Sequence, residues 1–186
     1  AWRELSTDDF NQKREPQAGY KFLGLIAFED PARPEVAAAI KYCYQHAIKV
    51  LMITGDHPET ACAIAKDVGL GGTAPKVAVA EADPDKFTKV FLTENPDFLR
   101  NLDVVARCNP LQKLEIVKAL RQAGELVAVT GDGVNDVPAL KAADIAIAMG
   151  ERGTRSAKEV SAIVLADDNF QTIVNAIIEG RQLFFN

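Results

Sequence analysis

Three groups of chemically capable residues each follow a strand-like run. Thr54-Gly55-Asp56 follows Val50 to Ile53. Arg107 follows Val104 to Ala106, with Lys113 in the first turn of the helix beyond. Gly131-Asp132-Gly133-Val134-Asn135-Asp136 follows Leu126 to Thr130. Together they offer a hydroxyl, free backbone N–H groups, two cations and two or three carboxylates. That inventory suits a phosphate group with Mg²⁺, a hard cation that takes one or two carboxylates, water and a phosphate oxygen. Asp132 and Asp136 can supply the carboxylates, directly or through water. Lys113 can neutralise a phosphoryl group. Thr54 and the Gly55 N–H can donate to its oxygens as charge develops.

Each group alone has a plainer reading. Asp136 is an ordinary helix N-cap residue. Thr-Gly-Asp at a strand end is more often a turn than a site. A lysine on a helix is usually solvated, and Arg107 alone is an ion-pair partner or an exposed side chain. Asp30-Pro31 reads as a turn before a helix. The conjunction and the chain order raise the functional reading above these. In an open parallel sheet, ligands gather beyond the carboxyl ends of the strands, where all three groups fall.

The elements that would position them alternate along the chain. Residues 1–20 are polar and irregular, a connector. Phe22 to Phe28 is a strand-like apolar run. Pro34 opens an amphipathic helix over 34–46. A buried-type strand spans 50–54, and Pro58 opens a helix that Gly69, Gly71 and Gly72 stop. Between 73 and 102 the pattern is weakest: short strands at 77–80 and 89–92, then a short helix from Asn95-Pro96. A strand at 104–106 leads to Asn109-Pro110-Leu111-Gln112, a capping box that starts a helix running to about Ala123. Beyond the strand at 126–130 come a helix at 138–143, a strand at 145–149, a helix near 154–160, a strand at 162–165 and a helix from Phe170. This alternation predicts an α/β fold, a mostly parallel Rossmann-like sheet with helices on both faces.

Composition narrows the class. With 186 residues the chain suits one domain with a sizeable core. A net charge of −5 gives no support for nucleic-acid binding. Three cysteines form no close pair, and only two histidines are present, which argues against a zinc site. The apolar runs are too short to span a bilayer, and no signal-peptide pattern opens the chain. The expectation is a soluble piece.

The chain from about Phe22 to Asn186 resembles the phosphorylation domain of P-type cation-transporting ATPases, within the haloacid-dehalogenase-like superfamily. The resemblance rests on Asp30-Pro31-Ala32-Arg33-Pro34, Met52 to Asp56, Ala106-Arg107 with Pro110 and Lys113, Thr130 to Leu140, Ile145 to Gly150, Val164 to Phe170 and Gly180-Arg181. The Thr-Gly-Asp-Gly-Val-Asn-Asp stretch is highly specific. The resemblance implies that Asp132 ligates Mg²⁺ with Asp136 in support, that Lys113 contacts the phosphoryl group, that Thr54 and Gly55 hold its oxygens, and that Asn135 helps orient them. Asp56 and Arg107 fall on the nucleotide side, with ATP as substrate of the parent protein. The segment 30–34 resembles a hinge, 21–170 the core, and 171–186 the start of a stalk helix leading to a membrane span. The parent would sit in a membrane with this domain cytoplasmic, and its partners would be the nucleotide-binding, actuator and transmembrane regions of one polypeptide. Motif wording points to the branch that moves Ca²⁺ or Na⁺/K⁺-like cations.

The departures matter as much. The family's nucleophile is the aspartate of an Asp-Lys-Thr-Gly-Thr motif, which is absent here. Asp83-x-Asp85 imitates a nucleophile pair but comes after Thr-Gly-Asp, in the wrong chain order. Cys108 stands where an aliphatic residue is commoner, and Arg155 where an acidic one is. The expectation is therefore an incomplete sheet with unpaired edges that invite a dimer. A free-standing phosphatase of the same superfamily, or a non-catalytic binding module on its scaffold, is the alternative.

Overall fold

The computed structural model describes residues 19–26 and 31–185, with side chains to residue 183. The chain divides into two compact units, residues 1–31 and 32–186. The expected connector lies outside the described residues except for Gly19 and Tyr20. Over 22–26 the expected strand is not formed, and Phe22, Leu23, Leu25 and Ile26 are exposed. An apolar run becomes a strand only when a neighbour takes its backbone groups. Residues 27 and 28 of that run lie outside the description.

The second unit carries six strands and eight α-helices among the described residues. In order they are α1 (Glu35–Gln45), β1 (Met52–Ile53), α2 (Pro58–Asp67), β2 (Val77–Val79), α3 (Lys89–Glu94), α4 (Pro96–Arg100), β3 (Val104–Ala106), α5 (Pro110–Gln122), β4 (Ala128–Gly131), α6 (Val137–Ala142), β5 (Ile145–Met149), α7 (Arg155–Val160), β6 (Ile163–Leu165) and α8 (Phe170–Phe185). All strand pairs are parallel. They form two three-stranded sheets, β1-β3-β2 and β4-β5-β6, with Met52 opposite Val104, Val77 opposite Val104, and Ala128 opposite Ile145. The α/β architecture agrees with the sequence pattern.

Alternation along β3 divides the first core. Val105 packs with Phe87, Leu92, Leu99 and Ile116, so α3, α4 and α5 cover one face. Val104 and Ala106 point the other way, onto Ile40, Ala61 and Ala65 of α1 and α2. Being buried on both faces, β3 can be uniformly apolar, as central parallel strands are. In the second sheet Ala146 and Ala148 of β5 pack with Leu140 of α6 and Ala157 of α7. Helix α5 runs along α6 and links the two sheets. On the outside, α8 lays Phe170, Val174 and Ile178 against Ala39 and Cys43 of α1.

The expected strand at 89–92 is helix α3. The Thr88 hydroxyl accepts the Phe91 N–H at 3.4 Å, capping the helix. Phe91 and Phe98 then meet edge to face, with ring centroids 5.4 Å apart. Packing under β3 overrides the strand propensity of Val90 and Phe91, as tertiary context often does.

Candidate active site

The site forms where β1, β4 and β5 end, beside the first turn of α5. A cavity of about 250 Å³ is lined by Ile53, Lys113, Thr130, Gly131, Asp132, Asp136 and Met149. Of the residues expected at a site, three line it: Lys113, Asp132 and Asp136.

Lys113 is carried by α5, whose start is held reciprocally. The Asn109 side chain accepts the Gln112 N–H at 2.9 Å, and the Gln112 side chain accepts the Asn109 N–H at 2.9 Å. This places Lys113 in the first turn, where Lys113 Nζ reaches Asp136 Oδ1 at 2.8 Å. Their side chains are 19% and 15% exposed, so solvent screens the pair only partly. The other Asp136 oxygen accepts the Gly133 N–H at 3.2 Å. Asp136 stands at the N-cap of α6 but makes no side-chain cap to it. Its carboxylate instead closes the turn before the helix. Gly131 makes room for this: a Cβ there would come within 2.6 Å of the Asp136 Cβ.

Asp132 is exposed, and its carboxylate has no partner among the described residues. Its carbonyl accepts the Thr154 N–H at 2.7 Å, which anchors the turn to the start of α7. Asn135 is exposed beside it and does not line the cavity.

Thr54, Gly55, Asp56 and Arg107 lie on the neighbouring loops and do not line the cavity either. The Thr54 hydroxyl accepts the Asp56 N–H at 3.0 Å and donates to Asp56 Oδ2 at 2.8 Å. Its one proton is therefore directed at Asp56. Two backbone bonds join this loop to the end of β3: Cys108 N–H to the Thr54 carbonyl at 3.0 Å, and Arg107 N–H to the Asp56 carbonyl at 3.2 Å. Arg107 adopts φ of +52°, a left-handed conformation unusual outside glycine. Its side chain faces Glu81 at 3.7 Å, an exposed pair of small energetic weight. Cys108 is buried, which pushes its thiol up to about 11 against the pull of Lys113. It is an inert packing residue rather than a nucleophile.

Among the described residues, no three His, Cys, Asp or Glu side chains gather in a metal-binding group. The donors at the cavity are one free carboxylate, Asp132, and one committed to Lys113, Asp136. That set fits a hydrated Mg²⁺ completed by water and external oxygens, and does not fit an all-protein cage.

A family model described as haloacid dehalogenase-like hydrolase matches residues 2–144. The chain belongs to the haloacid dehalogenase-like hydrolase family. Within the family, its relatives are P-type ATPases. It is 45% identical over its whole length to a calcium-transporting ATPase of Bacillus subtilis, of which it covers 20%. It is 46% identical over 89% of its length to calcium-transporting ATPase 1 of Saccharomyces cerevisiae, and 42% identical over 91% to the sodium/potassium exporting P-type ATPase cta3 of Schizosaccharomyces pombe, covering 17% of each. The chain thus spans about a fifth of the length of these relatives. The catalytic domain of the CPx-ATPase CopB-B shares the fold, with a TM-score of 0.57 and 23% identity over 78% of this chain and 45% of that one. A zinc-transporting PIB-type ATPase in its E2·Pi state matches with a TM-score of 0.58 and 30% identity, over 79% of this chain and 19% of that one. The free-standing phosphatase alternative is not favoured by these relatives. No helix among the described residues is long and apolar enough to cross a membrane.

The sequence marked Lys113, Asp132 and Asp136 but not their pairing. It also missed Ile53, Thr130, Gly131 and Met149 as cavity walls. The Lys113–Asp136 pairing spans 23 residues and has no local sequence signal.

Proposed function

We propose that the chain supplies the Mg²⁺-binding and phosphate-stabilising part of a P-type ATPase, which couples ATP hydrolysis to cation transport through an aspartyl-phosphate on an upstream segment. The observation that carries the reading is the convergence of Lys113, Asp132 and Asp136 on one cavity at the carboxyl ends of parallel strands. In this reading the Asp132 carboxylate holds Mg²⁺, and Asp136 contributes from nearby while orienting Lys113. Lys113 faces the phosphoryl oxygens. Thr54 and the Gly55 N–H reach them once the Thr54 hydroxyl turns from Asp56, and Asn135 helps orient them. Asp56 and Arg107 lie toward the nucleotide. When bound, Mg²⁺ would offset negative charge on the transferring phosphoryl group.

The same reading makes 1–20 a connector, 21–170 the domain core and 171–186 the start of a stalk helix. The parent would lie in a membrane with this domain in the cytoplasm, joined to nucleotide-binding, actuator and transmembrane regions. Relatives that carry calcium and others that export sodium or potassium support a cation as cargo.

Titrating the chain with Mg²⁺ by calorimetry tests the metal half. Binding that disappears in Asp132→Asn is the expected result; equal binding by that variant would sink the assignment. Incubation with ATP and Mg²⁺ tests the other half. No acid-stable phosphorylation is expected, and its appearance would place the nucleophile on this chain after all.

A further inference from the structure

The functional reading leaves Asp168 without a role, although it is 8% exposed and one of two buried charged residues among those described. Such a group persists only if its charge is well satisfied. Its two carboxylate oxygens accept the N–H groups of Glu151 at 3.0 Å and Arg152 at 2.8 Å. Burial works against the charge, yet the amides of Arg152, Glu151 and Gly150 hold the carboxyl below its usual range. The backbone is at φ of +49°, a conformation that costs energy outside glycine but that aspartate tolerates better than most. Arg33 Nη1 clamps the same point, donating to the carbonyls of Asp168 at 3.1 Å and Asp167 at 3.3 Å. Asp167 in turn accepts the Thr172 hydroxyl at 2.7 Å in the first turn of α8.

The loop that Asp168 grips, residues 150–154, has little slack. Gly150 N–H bonds to the Leu165 carbonyl at 2.7 Å. A Cβ on Gly150 would run into the Leu165 carbonyl, and one on Gly153 into the Met149 carbonyl. At its far end the Thr154 N–H is bonded to the Asp132 carbonyl. Hydrogen bonds joined by short stretches of backbone therefore lead from Arg33 and α8, through Asp168 and the 150–154 loop, to Asp132.

We propose that Asp168 is a positioning residue that couples α8 to the candidate site. It holds the 150–154 loop so that the Thr154 N–H fixes the Asp132 segment, and movement of α8 shifts Asp132. The coupling rests on the proposed function only in calling Asp132 a metal ligand.

The test is amide hydrogen exchange by NMR on the full chain. Asp168→Asn keeps the size and the left-handed tolerance but turns one acceptor into a donor. Asp168→Gly relieves the backbone and removes the carboxylate. In both variants the amides of Glu151, Arg152 and Thr154 should exchange about tenfold faster, as for loss of a charge-assisted hydrogen bond. Resonances of Asp132 and Gly133 should shift, while Ala61 and Val104 keep their protection. Faster exchange at Glu151 and Arg152 with Thr154, Asp132 and Gly133 unchanged would overturn the proposal. So would wild-type protection in Asp168→Gly. Should both variants unfold, Arg33→Gln decides, because it loosens Asp168 from its carbonyl side: a shift at Asp132 supports the coupling and none refutes it. Mg²⁺ titration separates the two claims. If the wild type binds, Asp168→Asn should bind about tenfold more weakly, the scale of lost outer-shell support. A wild type that binds no Mg²⁺ removes the metal assignment, and the exchange pattern still decides the coupling.

Discussion

Asp136 has both oxygens committed, one to Lys113 and one to the Gly133 N–H. Removing Lys113 would leave a partly buried carboxylate short of a partner. Lys113→Met should therefore lose about 1–3 kcal/mol in urea unfolding, the cost of an unsatisfied buried group. Lys113→Met with Asp136→Asn should lose less than the sum of the single changes, because the second removes the orphan left by the first. Additive losses would mean that the pair is not coupled. Asp103 poses a different residue-scale question. Its burial opposes ionisation, but Lys49 Nζ at 2.7 Å and the Lys76 N–H at 3.0 Å hold its carboxyl below the usual range. A depressed folded pKa means that its stabilisation is present above the unfolded value, about 3.9, and is lost as pH falls through the folded one. Asp103→Asn should flatten the acid side of the stability–pH curve. An unchanged acid limb would show that the carboxylate is not ionised in the folded chain.

At the scale of elements, what was legible depended on local chemistry. Helix α5 was readable because Asn109, Pro110 and Gln112 settle its start without help from the rest of the fold. Asn109→Ala should cost about 1 kcal/mol, the usual loss for a cap. That loss is measurable as a lower thermal midpoint, and stability within error of the wild type would mean the box is idle. The run at 89–92 was misread because three apolar residues carry no period. Only the Thr88 cap and the Phe91–Phe98 contact decide for helix. The run from Phe22 failed for the opposite reason. Its side chains suit a strand, but strand formation needs a neighbour, and over 22–26 no strand forms. The Thr54–Asp56 turn was found by sequence, yet the direction of the Thr54 proton was not, since a hydroxyl turns to whichever acceptor the fold puts nearest.

Across the whole molecule, the sheet is in two halves. Among the described residues β1 and β4 each have one strand neighbour. Ala128 and Thr130 of β4 are exposed, and Leu126 just before it is 80% exposed. Parallel strands are normally covered on both sides, and open edges invite pairing. The chain should self-associate with rising concentration in sedimentation velocity. Introducing a lysine at Ala128 should weaken that association; a strictly monomeric chain at high concentration would remove edge pairing as a property of this protein. By itself, the sequence determined the α/β alternation, the capped helix beneath Lys113 and the chain order of the three polar groups, because each is written in neighbouring residues. Tertiary structure alone decided that Lys113 pairs with Asp136, that the Asp132 carboxylate has no partner among the described residues, that Arg107 turns to Glu81, and that Asp168 grips the amides of Glu151 and Arg152. Those outcomes depend on which oxygens and amides meet across dozens of residues, and no local spacing encodes that distance.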